Sequence, residues 1–326
     1  MSHTNGTFFP SGRRIGLGCM GYSWGYSRPG QLDDTASLET IRQAYEAGIR
    51  HFDTSDMYAS GHNESLVGEA LKDLQEAKIA TKGGIVVDSI QPLRMHLDGS
   101  KKHLKSAIDK SLDRLKRESI DLYYLHRIDP QFTIQEQLET LGQAQQEGKI
   151  KQIGLSEPTV DQLEIASEIT EISAVQSELS VWTRDPLNAQ IKRSGTQQSV
   201  LEWCEKHNAT FVAFSPLGRG YLTGKLDTSE LLEGDFRTWM PRFTSNAQAQ
   251  NKAILETLTN IANNHGVTPS QIALAWALEK SPVISVIPGS RSLSHIKANL
   301  EAQTIHLTPQ ETKSIDQLPE PEQPRY

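Results

Sequence analysis

The chain has 326 residues and a mass of 36.3 kDa, with 37% apolar and 22% charged residues, which is the composition of a soluble globular protein of one large or two ordinary domains. A net charge of −7 speaks against nucleic acid or an anionic membrane as partner, and no apolar run approaches the ~18 residues of a membrane span. Cys19 and Cys204 lie too far apart in sequence to suggest a disulfide framework, and the first residues lack the charged and apolar regions of a signal peptide, so a cytoplasmic protein is expected.

Strand and helix signals then alternate along the chain. Arg14 to Gly18 reads as a short strand followed by a Gly- and aromatic-rich loop, and Asp34 to Ala47 has helical spacing closed by Gly48. The run His51 to Asp53 is a buried strand, Glu64 to Leu71 a helix, Lys78 to Thr81 a strand and Lys101 to Leu115 a strongly amphipathic helix. Next come a strand over Ile120 to Leu125, a helix over Ile134 to Glu147, a strand over Ile150 to Gly154 and a helix about Thr159 to Glu168. The strand Ala174 to Glu178, the helix Ser199 to His207 and the strand Thr210 to Phe214 continue the alternation.

Leu217 to Thr244 has too little periodicity for a regular element and is longer than structureless loops usually are, which predicts a functional loop with local turns. Helix signals resume at Asn246, and Thr268-Pro269-Ser270-Gln271 opens a further helix with an N-cap, a first-turn proline and a capping-box glutamine. Val283 to Ile287 is the last strand, Leu293 to Glu301 a helix, and Thr308-Pro309 opens a tail helix. Eight strands alternating with helices, without a linker, fit a doubly wound sheet or a (β/α)8 barrel. The span and the polar side chains that end so many strands favour the barrel, as a single domain over residues 1–326.

Gly16-Leu17-Gly18-Cys19-Met20-Gly21 matches G-x-G-x-x-G, the fingerprint of a Rossmann dinucleotide site. The context is wrong: a loop rather than a helix follows the third glycine, and no acidic residue ends a second strand ~20 residues on. Close backbone approach or simple turn geometry is the better reading of these glycines.

Three strand ends, and the turn after the first, carry side chains that make chemical sense together: Asp53, Tyr58 just beyond it, Lys82 and His126. A phenol is a poor acid at neutral pH, with an ordinary pKa of ~10, and a neighbouring ammonium is expected to lower it. A buried lysine requires a partner, which Asp53 supplies, and His126 can donate to an oxygen that gains charge. Such a set protonates a carbonyl oxygen as it receives hydride, without a metal. Taken singly, each of these residues is more often structural; their joint placement reverses the odds.

At these residues the chain resembles the aldo-keto reductases. The resemblance runs over nearly the full length, through Phe52-Asp53-Thr54-Ser55-Asp56-Met57-Tyr58, Thr81-Lys82, Leu125-His126-Arg127-Ile128-Asp129-Pro130, Gly154-Leu155-Ser156-Glu157, Phe214-Ser215-Pro216-Leu217-Gly218-Arg219-Gly220 and Ile287-Pro288-Gly289-Ser290-Arg291. It is similar to the bacterial, fungal and plant branch that includes pyridoxal and general aldehyde reductases. The resemblance implies Tyr58 as general acid and an extended NADP(H) across the barrel mouth, with a small-molecule carbonyl compound as substrate. Gly21, Ser156, Glu157 and Gln176 would line the cofactor, with Ser156 and Gln176 on the carboxamide and Phe214 stacked on the nicotinamide ring. Ser215, Leu217, Gly218, Arg219 and Gly220 would follow the pyrophosphate, and Ser290, Arg291, His295 and Asn299 would face the adenosine and its 2′-phosphate.

Glu157 stands where many members have Asn, and Gly289 and His295 stand where many have basic residues; Arg291 offers a fork of donors in compensation. Trp24 and Trp182, in mouth loops, are expected to line the substrate pocket. A cofactor-sensing regulatory subunit of the same fold is the alternative of another class, and a non-redox barrel is a third reading.

Overall fold

The computed structural model describes residues 9, 12–23, 25–26, 32–90, 93–231 and 234–325. Its strands are β1 (Leu17–Gly18), β2 (His51–Asp53), β3 (Lys78–Gly83), β4 (Ile85–Ile90), β5 (Leu93–Leu97), β6 (Leu122–Leu125), β7 (Ile153–Ser156), β8 (Ala174–Glu178), β9 (Gln190–Ile191), β10 (Gln197–Gln198), β11 (Thr210–Phe214) and β12 (Ile284–Val286). The helices are α1 (Asp34–Glu46), α2 (His62–Leu71), α3 (Lys101–Leu115), α4 (Ile134–Gln146), α5 (Val160–Ile169), α6 (Val200–His207), α7 (Ser245–Gln250), α8 (Lys252–His265), α9 (Pro269–Glu279), α10 (Leu293–Glu301) and α11 (Pro309–Asp316).

Eight strands pair in parallel in the order β1-β2-β3-β6-β7-β8-β11-β12. The sheet closes on itself where Gly16 N donates to Val286 O and Val286 N to Arg14 O, both at 2.9 Å, so Arg14 to Gly18 acts as one strand at the seam. This is the expected (β/α)8 barrel. The glycines that mimic a Rossmann fingerprint belong to that seam: a methyl on Gly18 would lie 2.8 Å from Ile287 O, and one on Gly16 3.0 Å from His51 O. They allow strands to approach; they do not open a helix onto a phosphate.

Alternation along each strand sorts the side chains. Leu122 and Tyr124 of β6, Ala80 of β3, Ala174 of β8 and Val212 of β11 pack with Ile287 and Phe9 inside the barrel. The intervening Phe52, Ile79, Tyr123, Val175 and Phe211 face outward into the larger layer between strands and helices. Two-residue periodicity therefore places Asp53, Lys82 and Gln176 on the inner face as well. Among the described residues, α4, α5, α6, α9 and α11 each begin with a full capping box, at Thr133/Glu136, Thr159/Gln162, Ser199/Glu202, Thr268/Gln271 and Thr308/Glu311.

The structure departs from the sequence expectation mainly outside the barrel wall. Two antiparallel hairpins, β4–β5 and β9–β10, are additional; their residues are half-buried or exposed, so they carry no clean apolar alternation. The segment Leu217 to Thr244 contains short 3-10 turns, at Gly218–Thr223, Thr228–Glu230, Phe236–Trp239 and Pro241–Phe243. Among the described residues, no helix is long and apolar enough to cross a membrane.

Candidate active site

The buried centre of the barrel mouth is an ion pair. Lys82 Nζ donates to Asp53 Oδ1 at 2.5 Å and to the carbonyl of Thr54 at 2.7 Å, and both side chains are almost wholly buried. Asp53 Oδ2 accepts from Gln176 Nε2 at 2.7 Å, so three strands hold one carboxylate. Burial disfavours the charged form of Asp53 and moves its carboxyl above the usual range against the pull of Lys82 and Gln176. Burial also works against the Lys82 ammonium, yet Asp53 and Tyr58 hold its pKa above the ordinary lysine value.

Tyr58 stands over this pair, with Lys82 Nζ 5.3 Å from its ring centroid and a hydrogen bond between the two side chains. The chain behind Tyr58 is left-handed at Ala59 (φ 48°), Ser60 (φ 53°) and Gly61 (φ 92°). Non-glycine residues in that region cost on the order of 1–3 kcal/mol each, so the turn that aims the phenol is held by its surroundings. Those surroundings are polar and buried. Thr54 Oγ1 donates to Asn63 Oδ1 at 2.6 Å, and Asn63 Nδ2 donates to Cys19 O and Ser23 Oγ. Glu64, at the start of α2, accepts from Thr81 and pairs with Arg114 of α3 at 2.6 Å.

The phenol is not lowered as the sequence suggested. Lys82 does pull the Tyr58 pKa down, but burial outweighs it and the net direction is up. His126 lies edge-on to Tyr58, with ring centroids 6.3 Å apart, and burial, Lys82 and Arg127 hold its pKa well below the ordinary value. The imidazole is therefore neutral at physiological pH, a hydrogen-bond donor rather than a cation. Asp53, Tyr58, Lys82 and His126 thus meet at one end of the barrel, as expected from the sequence.

The remaining expected residues divide. Ser156, at the end of β7, accepts from Arg127 Nη1 at 2.9 Å. Glu157 is left-handed (φ 54°), and its carboxylate accepts from Glu178 N at 2.7 Å and pairs with Arg325 at 3.0 Å. Phe214 is half-buried where β11 ends, against the inner cluster. Ser215, Gly218, Arg219 and Gly220 all have positive φ, which curls the chain after β11 back over the mouth; Leu217 lies within that curl. The Arg219 side chain turns inward: its guanidinium pairs with Glu178 at 2.7 Å and is 7% exposed. Gly21 sits in a 3-10 turn above β1, against the Tyr26 ring.

Ser290 and Arg291 precede α10, whose first residues have no side-chain cap at Ser292. Arg291 and His295 are exposed there and Asn299 is buried a turn further on. Trp182 is engaged by neighbouring rings. It is 2% exposed, stacked on Tyr221 at 4.4 Å and edge-on to Phe243 at 5.3 Å, so it ties the long loop to the barrel. Trp24 lies outside the described residues.

Sequence reasoning missed the second row of polar residues: Ser55, Asn63, Glu64 and Arg114. Their signal was weak because each reads as an ordinary polar residue of a loop or helix until the packing of α2 and α3 on the barrel brings them together.

A parallel eight-stranded barrel with a buried carboxylate–ammonium pair, a phenol and a neutral imidazole at the C-terminal ends of its strands is the architecture of a barrel enzyme. The chain belongs to the Aldo/keto reductase family, whose profile matches residues 14–320. It is an oxidoreductase of that family. A probable aldo-keto reductase 1 of Glycine max is 36% identical over 304 residues, covering 93% of this chain and 84% of the relative. The glycerol dehydrogenase of Gluconobacter oxydans superposes with a TM-score of 0.81 at 28% identity, over 93% of this chain and 90% of that one. An aldo/keto reductase of Klebsiella pneumoniae, solved with NADP and acetate, shares the fold at a TM-score of 0.71 and 22% identity, over 96% and 94% of the two chains.

Proposed function

We propose that the protein is an NADPH-dependent reductase of aldehydes and ketones in which Tyr58 delivers the proton. The observation that carries this reading is the Asp53–Lys82–Gln176 network directly beneath Tyr58, with the neutral His126 beside it. NADPH supplies the hydride when bound. The chain's own residues do the rest. As charge grows on the carbonyl oxygen, His126 donates to it and Tyr58 passes its proton to it. The phenolate left behind is stabilised by the Lys82 ammonium, which Asp53 keeps charged. The raised pKa of the resting phenol keeps the proton on Tyr58 until a developing alkoxide, far more basic than a carbonyl, takes it.

Two features of the mouth support a phosphorylated dinucleotide. The run of left-handed backbone at Gly218, Arg219 and Gly220 wraps a loop across the strand ends, and the uncapped N-terminus of α10 beside Arg291 suits an anion. In this reading Ser156, Glu157, Gln176 and Phe214 line the nicotinamide side and Ser215, Leu217 and the glycines follow the phosphates. Ser290, Arg291, His295 and Asn299 take the adenosine end. Arg219, engaged by Glu178, holds the loop's shape.

Titration of NADPH fluorescence, then loss of NADPH absorbance with 4-nitrobenzaldehyde and pyridoxal, tests the proposal in wild type and Tyr58→Phe. Binding in both proteins, with turnover lost at least a hundredfold in the variant, is the expected result. Binding without turnover of any carbonyl in the wild type would favour a cofactor-sensing protein, and absence of NADPH binding would overturn the reading altogether.

A further inference from the structure

Behind His126 the barrel wall holds a short polar chain that the reaction as described does not use. Ser55 is wholly buried, and its Oγ stands 3.1 Å from His126 Nδ1, 3.4 Å from Asp56 Oδ1 and 3.4 Å from the carbonyl of Lys82. A hydroxyl has one proton to give, so these three acceptors compete for it. Asp56 in turn lines a cavity of about 220 Å³ under β4, walled by His103, Ser106, Lys110 and Arg114 of α3. The buried Tyr123 hydroxyl has no hydrogen-bond partner among the described residues and crowds the same place: a methyl on Gly83 would lie 2.0 Å from Tyr123 Oη and 3.2 Å from Asp56 Oδ2.

We propose that Ser55 fixes the tautomer of His126, and that the protonation of Asp56 decides which way the Ser55 hydroxyl points. With Asp56 neutral, Ser55 gives its proton to His126 Nδ1, and the ring carries its own proton on Nε2, where it can donate to the carbonyl oxygen. With Asp56 ionised, the carboxylate takes the Ser55 proton as its hydrogen bond. His126 is then protonated on Nδ1, donating to Ser55 Oγ, and Nε2 is left bare. The ring gains no net charge; one proton moves from one nitrogen to the other, and reduction loses its donor.

The charges around these groups favour this assignment. His126 faces Lys82, Arg127 and Tyr58, and the two cations oppose a second proton on the ring. Asp56 faces Glu64 of α2, Arg114 and Lys110 of α3 and Tyr123 of β6, with His103 across the cavity. Burial and the repulsion of Glu64 push its carboxyl up to about 8, against the pull of Arg114. The switch from one tautomer to the other therefore falls in the mildly alkaline range.

The inference rests on the reductase reading for its effect on rate, but the tautomer can be read without turnover. Proton–nitrogen correlation spectra of the 15N-histidine-labelled full chain distinguish Nδ1–H from Nε2–H. In wild type the His126 signals are expected to show Nε2–H at pH 6.5 and to change to Nδ1–H between pH 7.5 and 9, with the reduction rate falling over the same range. Asp56→Asn removes the titrating group, so neither tautomer nor rate should change there, whereas Asp56→Glu should restore the transition. Ser55→Ala should lower kcat/KM about tenfold, the worth of one buried hydrogen bond, without changing NADPH affinity, and Ser55→Thr should recover most of it. A wild-type transition that persists in Asp56→Asn, or a His126 tautomer unaffected by Ser55→Ala, would overturn the proposal. A wild type that shows the tautomer transition but reduces no carbonyl would overturn the reductase reading instead.

Discussion

Lys82 and Asp53 stabilise each other only as a pair. Each is almost wholly buried, so removal of one leaves the other's charge, or its desolvated neutral form, without compensation. Lys82→Met is expected to destabilise the protein by about 3–5 kcal/mol, as read from the urea midpoint. Adding Asp53→Asn should recover part of that loss, because the double variant buries no unpaired carboxylate. A double variant no more stable than Lys82→Met alone would mean that Asp53 is held by Gln176 and not by the ammonium. The distinction bears on function, since the same pair supports the phenolate of Tyr58 in the proposed reaction.

Among the elements, β7 shows how tightly strand packing controls what the mouth can present. Gly154 lies opposite Tyr124, and a methyl there would lie 2.4 Å from the Tyr124 ring and 3.0 Å from the carbonyl of Ala174. Neither neighbour can retreat: Tyr124 is fully buried inside the barrel, and the carbonyl belongs to β8. Gly154→Ala should therefore cost about 1–3 kcal/mol by overpacking. Tyr124→Leu in the same chain should return part of it in urea denaturation, and failure to do so would place the strain on β8. Ser156 and Gln176, the neighbouring residues of β7 and β8 that the proposed function sets beside the nicotinamide, would move with the strands, so under that proposal a loss of NADPH affinity accompanies the loss of stability.

For the whole molecule, the pH dependence of stability follows from buried groups that titrate far from their unfolded values. His51 and His126 are both held well below the ordinary histidine range, each chiefly by burial, so the folded chain keeps them neutral while the unfolded chain protonates them below pH ~6.5. Their contribution is complete above that pH and is lost as pH falls, at up to about 1.4 kcal/mol per pH unit for each. Asp56 acts in the opposite sense. Its folded pKa, about 8, lies above the unfolded carboxylate value, so its contribution is present at low pH and is lost as pH rises towards 8. Stability should thus pass through a maximum near neutrality. Urea unfolding at pH 5.5, 7 and 8.5 checks this: because the Asp56 contribution is lost across the whole window up to about pH 8, Asp56→Asn should steepen the rise from pH 5.5 to 7 and flatten the decline above it; an unchanged decline above pH 7 would remove Asp56 as its cause.

What could be read from the sequence was whatever is carried by order and period. Eight apolar runs alternating with amphipathic helices gave the barrel, because strand and helix periodicities are local properties of the chain. The polar residue ending each of those runs gave Asp53, Lys82 and His126, because strands running in parallel must end on one side. Tyr58, in the turn after Asp53, came with them. The tertiary structure decided how those groups are charged and which are free to act. Whether Lys82 lowers the Tyr58 pKa depends on burial against one ion pair, and burial won. Where the Trp182 and Arg219 side chains rest depends on the partners that a folded loop supplies, and these are Tyr221, Phe243 and Glu178. The contacts among Ser55, Asp56 and His126 belong to the same category: His126 Nδ1 lies 71 residues from Ser55 along the chain and 3.1 Å away in space. Local periodicity cannot encode such a distance, since it is fixed by the closure of the barrel and the packing of α2 and α3 against its wall.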